Sequence, residues 1–377
     1  MKNDPVHKKF LAVVLASGVL LTGFMPSHAA AQVPTQSGLR MYGIIMSGVI
    51  YTNHSARGRK IGLPEGPSRF GLYGEEDLGS GWSALFRLEN GFSPSMGTLN
   101  QGGRLFGRQA YVGLRSRTAG ELTLGRQYDF AASWLARPAA TYRWSGYFSH
   151  PGDNDNFNYQ FRLNNAVKYQ TAEMAGFQLG VMVSFGEGAA QASHQNAVSA
   201  GLKYENEPIK LQAAWLHVSH PAQAVADGNW NTRIFAAVSP RSPYNRGPVE
   251  PESMTVYGAG GTWKINNLTI GAVWSHSEYR RTSVPTEGLT AADVTFNNLE
   301  FNVARQLTTN LELAGGYTWT RVKVAPTKYA PRYHQLNLIL NQSLARRTAL
   351  YYAASYQHAE KSAVRQKALI VGIFHRF

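Results

Sequence analysis

Polar side chains are plentiful in this chain, but few are spaced for catalysis. Its eleven histidines form no His-Glu-x-x-His pair and no cluster with acids, so a metal centre is not expected. No Gly-x-Ser-x-Gly elbow presents a serine nucleophile, and no phosphate-binding loop is present. Gly258-Ala259-Gly260-Gly261 lies inside an alternating stretch, where glycine eases packing rather than cradling phosphate. Glu75-Glu76-Asp77 could attract a cation, but reads as the solvated flank of a turn. Cysteine is absent, which removes thiolate chemistry, thiolate metal sites and disulfides. No cofactor is expected. What remains is fixed charge on an extended backbone. Arg69, Gly71, Tyr73 and Glu75 would share one strand face, and charge on such a face, turned to a water-filled passage, acts on passing ions.

The elements that must carry those side chains follow from period-two alternation. Leu311, Leu313, Gly315, Tyr317 and Trp319 alternate with Glu312, Ala314, Gly316, Thr318 and Thr320. Leu336, Leu338 and Leu340 alternate with Gln335, Asn337 and Asn341, and Ile209, Leu211, Ala213 and Trp215 with Lys210, Gln212 and Ala214. One oily and one small or polar face fits a wall with lipid on one side and water on the other. Sixteen strands are predicted: 38–53, 67–77, 81–92, 103–116, 120–128, 162–171, 176–186, 196–206, 208–219, 253–264, 267–279, 293–306, 309–323, 331–343, 347–359 and 364–377. Short connections at 79–81, 119–120, 175–176, 207–208, 266–267, 308–309 and 345–346 alternate with longer ones at 54–66, 93–102, 129–161, 187–195, 220–252, 280–292, 324–330 and 360–363. The reading is all-β: a 16-stranded antiparallel transmembrane β-barrel with tight turns at one end and long loops at the other. A soluble β-sandwich would also alternate, but would rarely need so many strands.

Both ends of the sequence agree. Lys8 and Lys9 precede an apolar run from Phe10 to Phe24, and Ala29-Ala30-Ala31 offers a small-residue cleavage site. This is the pattern of a secretory signal peptide. Its run of about 15 residues is shorter than the roughly 20 a spanning helix needs. Residues 1–31 are therefore read as signal peptide, with cleavage after Ala29 the close alternative, and 32–377 as the barrel. At the other end Leu369, Val371, Ile373 and Phe377 share one face, and Gln366, Ala368, Gly372 and Arg376 the other. An aromatic last residue on an alternating strand suits the oily rim of a closed barrel.

Composition fits. Mean hydropathy is −0.28, as expected when every second strand residue faces water. The 19 Tyr and 8 Trp suit the interfacial girdles of a barrel. Formal charge is +14, and removing Lys2, Lys8, Lys9 and Asp4 with the leader leaves about +12. The excess is spread along strands of an exported chain, which argues against nucleic acid as partner. Lipopolysaccharide phosphates, outer-membrane lipid, or anions in a pore are the expected counterparts.

Several stretches resemble the general, trimeric porins of Gram-negative outer membranes. Met41-Tyr42-Gly43-Ile44-Ile45, Ser68-Arg69-Phe70-Gly71-Leu72, Gly74-Glu75-Glu76-Asp77-Leu78-Gly79 and Leu124-Gly125-Arg126-Gln127-Tyr128-Asp129 are similar to theirs. The run from Gly103 through Arg108 to Leu114 is the strongest match. His150-Pro151-Gly152-Asp153 and Asn164-Asn165-Ala166-Val167-Lys168-Tyr169 bracket the end of the third loop. The resemblance covers essentially the whole chain after the leader. It implies a homotrimer of water-filled barrels, each with its third loop, here about 129–161, folded inward. It also implies a basic ladder from Arg69, Arg108 and Arg162, with Arg126 and Arg104 as weaker members, facing a loop that carries Asp153 and Asp155 beside Arg137 and Arg143. The terminal strand ending at Phe377 would be the tag read by the barrel-assembly machinery. Two positions depart from the pattern: Met46 stands where an acid is usual, and His375 where Tyr or Phe is common. The expected function is passive diffusion of small hydrophilic solutes and ions, with weak anion preference. A substrate-selective channel is the alternative, and an outer-membrane barrel enzyme a distant one.

Overall fold

Alternation in the sequence becomes two faces of one closed sheet. The computed structural model describes residues 38–377 except 56–57, 65, 187–195, 226–249, 285–287, 329 and 361–364. The expected signal peptide, 1–31, lies outside the described residues, as does most of the predicted loop 220–252. The strands are β1 (Gly38–Ser55), β2 (Gly58–Gly62), β3 (Arg69–Gly79), β4 (Trp82–Gly91), β5 (Gln109–Ser116), β6 (Gly120–Gln127), β7 (Leu163–Gln170), β8 (Phe177–Ser184) and β9 (Ala197–Asn206). They continue as β10 (Ile209–Ser219), β11 (Ser253–Ile265), β12 (Leu268–Val284), β13 (Leu289–Thr308), β14 (Leu311–Ala325), β15 (Arg332–Ala345), β16 (Thr348–Ala359) and β17 (Arg365–Arg376). From β3 to β17 each strand pairs antiparallel with the next, and β17 returns to β1 from Ile44↔Arg376 to Thr52↔Ala368. β2 and β3 both lie along β1, at Ile50–Ser55 and Gly38–Ile44, and so share one place in the wall. The result is a closed barrel of sixteen places. Closure removes the unpaired edge that no lipid could satisfy.

The two faces differ sharply in chemistry. On β15 and β17, Leu336, Leu338, Leu369 and Val371 are each more than half exposed, while their neighbours Asn337 and Ile370 are buried. The same face carries Val112, Leu114, Leu122, Leu124, Leu211, Trp215, Ile270 and Trp274 around the barrel. An apolar surface this continuous is penalised in water by about 25 cal/mol per Å², and it suits hydrocarbon instead. The opposite face carries Arg87, Glu89, Thr123, Lys168, Ser275, Asn298, Glu300 and Gln335.

The strand expectations hold to within a few residues at most ends. Three differences have physical causes. β5 starts at Gln109 rather than 103, because Gly102 and Gly103 take left-handed φ of 71° and 79° and turn the chain. β12 and β13 extend to Val284 and back to Leu289 through irregular pairing at Thr282, where polar residues hide the ladder. β2, inside the predicted loop 54–66, has no alternation long enough to reveal it.

One connection carries several helical turns. Residues 128–162, between β6 and β7, form short helical turns at Ala131–Leu135, Ala140–Arg143, Gly146–Phe148 and Pro151–Asp153. Phe130, Trp134, Leu135 and Phe157 pack with Leu216, Val256, Val273, Tyr279 and Phe296 of β10–β13 in one core. Ala140 and Phe148 pack with Ile50, Ile339, Tyr351 and Ile370 in a second. Gly180 and Gly201 make room for this seating: a methyl group there would lie 2.2 Å from the Phe130 ring and 2.7 Å from that of Trp134.

Candidate functional site

The polar face of β3–β7 gathers the basic side chains. β4 carries Glu89 opposite Gly71 of β3. The missing side chain at Gly71 lets the Tyr42 ring cross the strand, since a methyl group there would lie 2.6 Å from it. The Tyr42 hydroxyl donates to Glu89 Oε2 at 2.8 Å. Arg108 Nε donates to Glu89 Oε1 at 2.6 Å, and Arg69 Nε stands 3.8 Å from Oε2. One buried carboxylate therefore organises two of the predicted arginines. Glu89 is only 5% exposed in its side chain, whereas that of Arg69 is 33% exposed, so the pair presents a net positive surface.

Tyr128 links the next member. Arg162 donates to its hydroxyl at 2.7 Å and lies 4.8 Å over its ring, while the Arg108 guanidinium lies 5.9 Å from the same ring. Stacking a guanidinium on an aromatic face is favourable where it is desolvated, and Arg162 is almost wholly buried. Arg126 donates to the Gly107 carbonyl at 2.8 Å and also to the Asn164 side chain. Arg69, Arg108 and Arg162 thus come together through Glu89 and Tyr128, and Arg126 stands beside them. Arg104 is exposed in the turn before β5. In β5, Val112 and Leu114 are on the apolar face and Tyr111 pairs with Arg87 on the polar one. Arg108 precedes the strand, which frees it from that alternation.

Asp153 and Asp155, expected at the constriction, are buried. Asp155 has no exposed side chain and accepts from His150 Nδ1 at 2.6 Å, Ser275 Oγ at 2.5 Å and Asn298 Nδ2 at 3.3 Å. The other ring nitrogen of His150 lies 3.2 Å from Glu300 Oε2. Glu300 Oε1 in turn accepts the Ala140 amide at 2.7 Å and Asn302 Nδ2 at 2.6 Å. This network fixes residues 140–155 to β12 and β13. Burial opposes a charged imidazole at His150, but the Asp155 charge and the bonds to Asp155 and Glu300 outweigh it and hold its pKa up at about 10. Burial and the neighbouring Asp155 push Asp153 up to about 8, against the Asn158 amide that bonds its Oδ1. At neutral pH Asp153 is therefore mostly protonated, and Asp155 is balanced by His150. Neither acid pairs with an arginine among the described residues.

The remaining charges of the segment reach the wall. Arg137 donates to Glu205 Oε1 at 2.7 Å, and Arg143 to Asn302 Oδ1 at 2.7 Å while stacking on Trp144. Trp144 donates to Glu312 Oε1 at 3.2 Å. Ser275, Asp155 and His150 are joined, but the serine hydroxyl donates to the acid rather than to the imidazole, and all three are sealed from solvent. That geometry cannot deliver a nucleophile. Met46 sits on the polar face beside Ser68, whose hydroxyl accepts its amide at 3.0 Å. Sequence reasoning missed Glu89 and the His150–Glu300 contact. A single acid in a strand and a partner 150 residues away leave no local signal.

The sequence model of a family described as Gram-negative porin matches residues 13–362. An outer membrane porin protein of Bordetella pertussis is 34% identical over 230 residues, 53% of this chain and 58% of that protein. Outer membrane porin protein 32 of Delftia acidovorans is 30% identical over 216 residues, 53% of this chain and 56% of that protein. The chain thus spans little more than half the length of the curated relatives it matches. Among solved structures, an anion-selective porin from Comamonas acidovorans superposes with a TM-score of 0.72 at 21% identity, covering 91% of this chain and 100% of that one. The trimer form of OmpT from Vibrio cholerae gives 0.66 at 12% identity, covering 90% and 99%.

Proposed function

The chain belongs to the Gram-negative porin family, and on that premise we propose that it is a water-filled outer-membrane channel for small hydrophilic solutes and ions, with weak anion preference. The observation that carries this reading is the two-faced closed sheet. Its apolar face meets lipid and its polar face lines a lumen, and on this reading residues 128–162 lie across that lumen. Their contacts support this course: one connection touches β9–β11 through Phe130 and Trp134, β13 through His150, and β14 through Trp144. Chain tethered on the polar side of so many strands narrows the passage.

Selectivity follows from which charges stay in contact with water. Arg69 and Arg108 keep exposed surface beside a buried Glu89, whereas Asp153 is protonated and Asp155 neutralised. The acids that would favour cations are withdrawn, so a chloride ion passing the arginines meets uncompensated positive charge. The structural neighbour described as anion-selective fits this reading. So does the trimer form of another neighbour, and we take three copies of the barrel as the assembled unit. β17 offers the assembly machinery its alternating apolar face, with the Phe377 ring over Gly43.

Liposome swelling against sugars of increasing size tests the channel. Entry that falls steadily with solute size, with no saturation, is expected. Saturation by one sugar supports the substrate-selective alternative, and absence of swelling overturns both.

A further inference from the structure

The polar face carries a guanidinium that stands outside the arginine cluster. Arg40 of β1, Tyr73 of β3, Arg87 of β4 and Tyr111 of β5 lie side by side in one row. Along β4 the row is one same-face step from Glu89, about 7 Å, toward the short connection at 79–81. Arg87 is half-buried. Its Cζ lies 5.5 Å from the centre of the Tyr73 ring and 5.7 Å from that of Tyr42. Its Nε is buried without a hydrogen-bond partner, and the group forms no ion pair among the described residues. The carboxylates one step to either side are held by other arginines: Glu89 by Arg108 at 2.6 Å, Glu75 by Arg115 at 3.1 Å. The hydroxyls of Tyr42 and Tyr73 donate to those same acids at 2.8 and 2.6 Å. Both tyrosines are thereby anchored with their rings, not their hydroxyls, toward Arg87.

A guanidinium without an acid partner, held among phenol rings on the wall of a watery passage, is a place for an anion. Ring contacts occupy the faces of the planar group and leave its edge, where the N–H donors form a fork that fits a carboxylate. Tyr111, directly opposite Arg87, brings a further ring to the same spot. Gly125, opposite Tyr111, and Gly113, next on its own strand face, add no side chain over that ring. We propose that Arg87, Tyr73 and Tyr111 form a binding subsite for aromatic carboxylates, with the carboxylate on the Arg87 fork and the ring against Tyr111. Offset or edge-on packing of two rings adds to the charge contact. An inorganic anion or a short aliphatic acid would use the charge and leave the rings idle. Arg69 and Arg108, one step along the wall, draw the acid toward the subsite.

The inference rests on the water-filled channel proposed above, and its test separates the two. Benzoate, cyclohexanecarboxylate and benzamide are titrated into the purified protein in detergent, and binding is followed by saturation-transfer NMR. Single-channel conductance in potassium chloride is recorded on the same preparations. Wild type is expected to bind benzoate saturably, about threefold or more tighter than cyclohexanecarboxylate and roughly tenfold or more tighter than benzamide. Arg87→Gln is expected to weaken both acids about tenfold, and Tyr111→Leu to bring benzoate down to the level of cyclohexanecarboxylate. Undiminished benzoate binding in the two variants overturns the site. Equal binding of the two acids by wild type also overturns it, and that comparison needs no variant to fold. Selective benzoate binding by a protein that conducts no ions would uphold the site and sink the channel. Conductance without that selectivity would sink the site and leave the channel standing.

Discussion

Replacing Arg69 and Arg108 together by glutamine is expected to turn weak anion preference into cation preference. The two side chains flank Glu89, with Arg108 at 2.6 Å and Arg69 at 3.8 Å. Removing both uncovers the carboxylate and leaves, of the basic ladder beside it, only Arg162 and Arg126, which are buried. A unit charge near a partly hydrated passage is worth about 1 kcal/mol or more, so the chloride-to-potassium permeability ratio should fall by roughly fivefold or more. The same change strips a nearly buried acid of its ionic partners and leaves it the Tyr42 hydroxyl. Breaking a buried pair from one side costs about 3–5 kcal/mol, so the barrel should lose heat resistance on electrophoresis. Adding Glu89→Gln should restore resistance and raise the ratio again toward the wild-type value. If the double variant keeps anion preference, selectivity arises elsewhere on the wall.

Breaking the contact between His150 and Glu300 should have the second large effect, on the connection rather than on the arginines. Glu300→Ala removes the acceptor of the Ala140 amide, of Asn302 and of His150 at once. A buried imidazolium and unsatisfied donors remain, at a cost of about 3–5 kcal/mol for the charge alone. Residues 140–155 should detach from β13, giving larger and noisier single-channel steps with the wall intact. The pH dependence has a definite sign. The folded pKa of His150 is raised to about 10, above the unfolded value of about 6.5. Its stabilisation is therefore complete below about pH 6.5 and lost as pH rises through about 10. Asp153 acts in the same sense: its folded pKa near 8 lies above an unfolded value of about 3.9, so stability falls between those limits as pH rises. Noise in the open channel should grow on the alkaline side in wild type. In Glu300→Ala it should be high throughout. Quiet, unaltered steps in that variant would mean the network does not hold the connection.

The wall was legible because each strand repeats one instruction: oily out, polar in. Leu336, Leu338, Leu369 and Val371 are on the predicted face, and β17 closes on β1 with the register that alternation demands. The arginines were legible through family resemblance, and Arg69, Arg108 and Arg162 do meet at one place. Their partners were not. The role of Glu89 and Tyr128 exists only once β3, β4 and the residue after β6 are neighbours. Asp153 and Asp155 are legible as charges in a long connection, yet the environment of Asp155 is set by Ser275 and Asn298 and, through His150, by Glu300, more than a hundred residues away. Sequence supplies the charge of an acid but not its burial, and here burial reverses the consequence for ions.

The central claim is a pore whose exposed charge is basic because its central acids are buried. The zero-current potential of the wild-type protein in a planar bilayer, across a potassium chloride gradient at neutral pH, tests it most directly. The sign expected is that of a channel passing chloride more readily than potassium. A potential of the opposite sign would contradict the account, because it would require Asp153, Asp155 or Glu89 to face the passing ions.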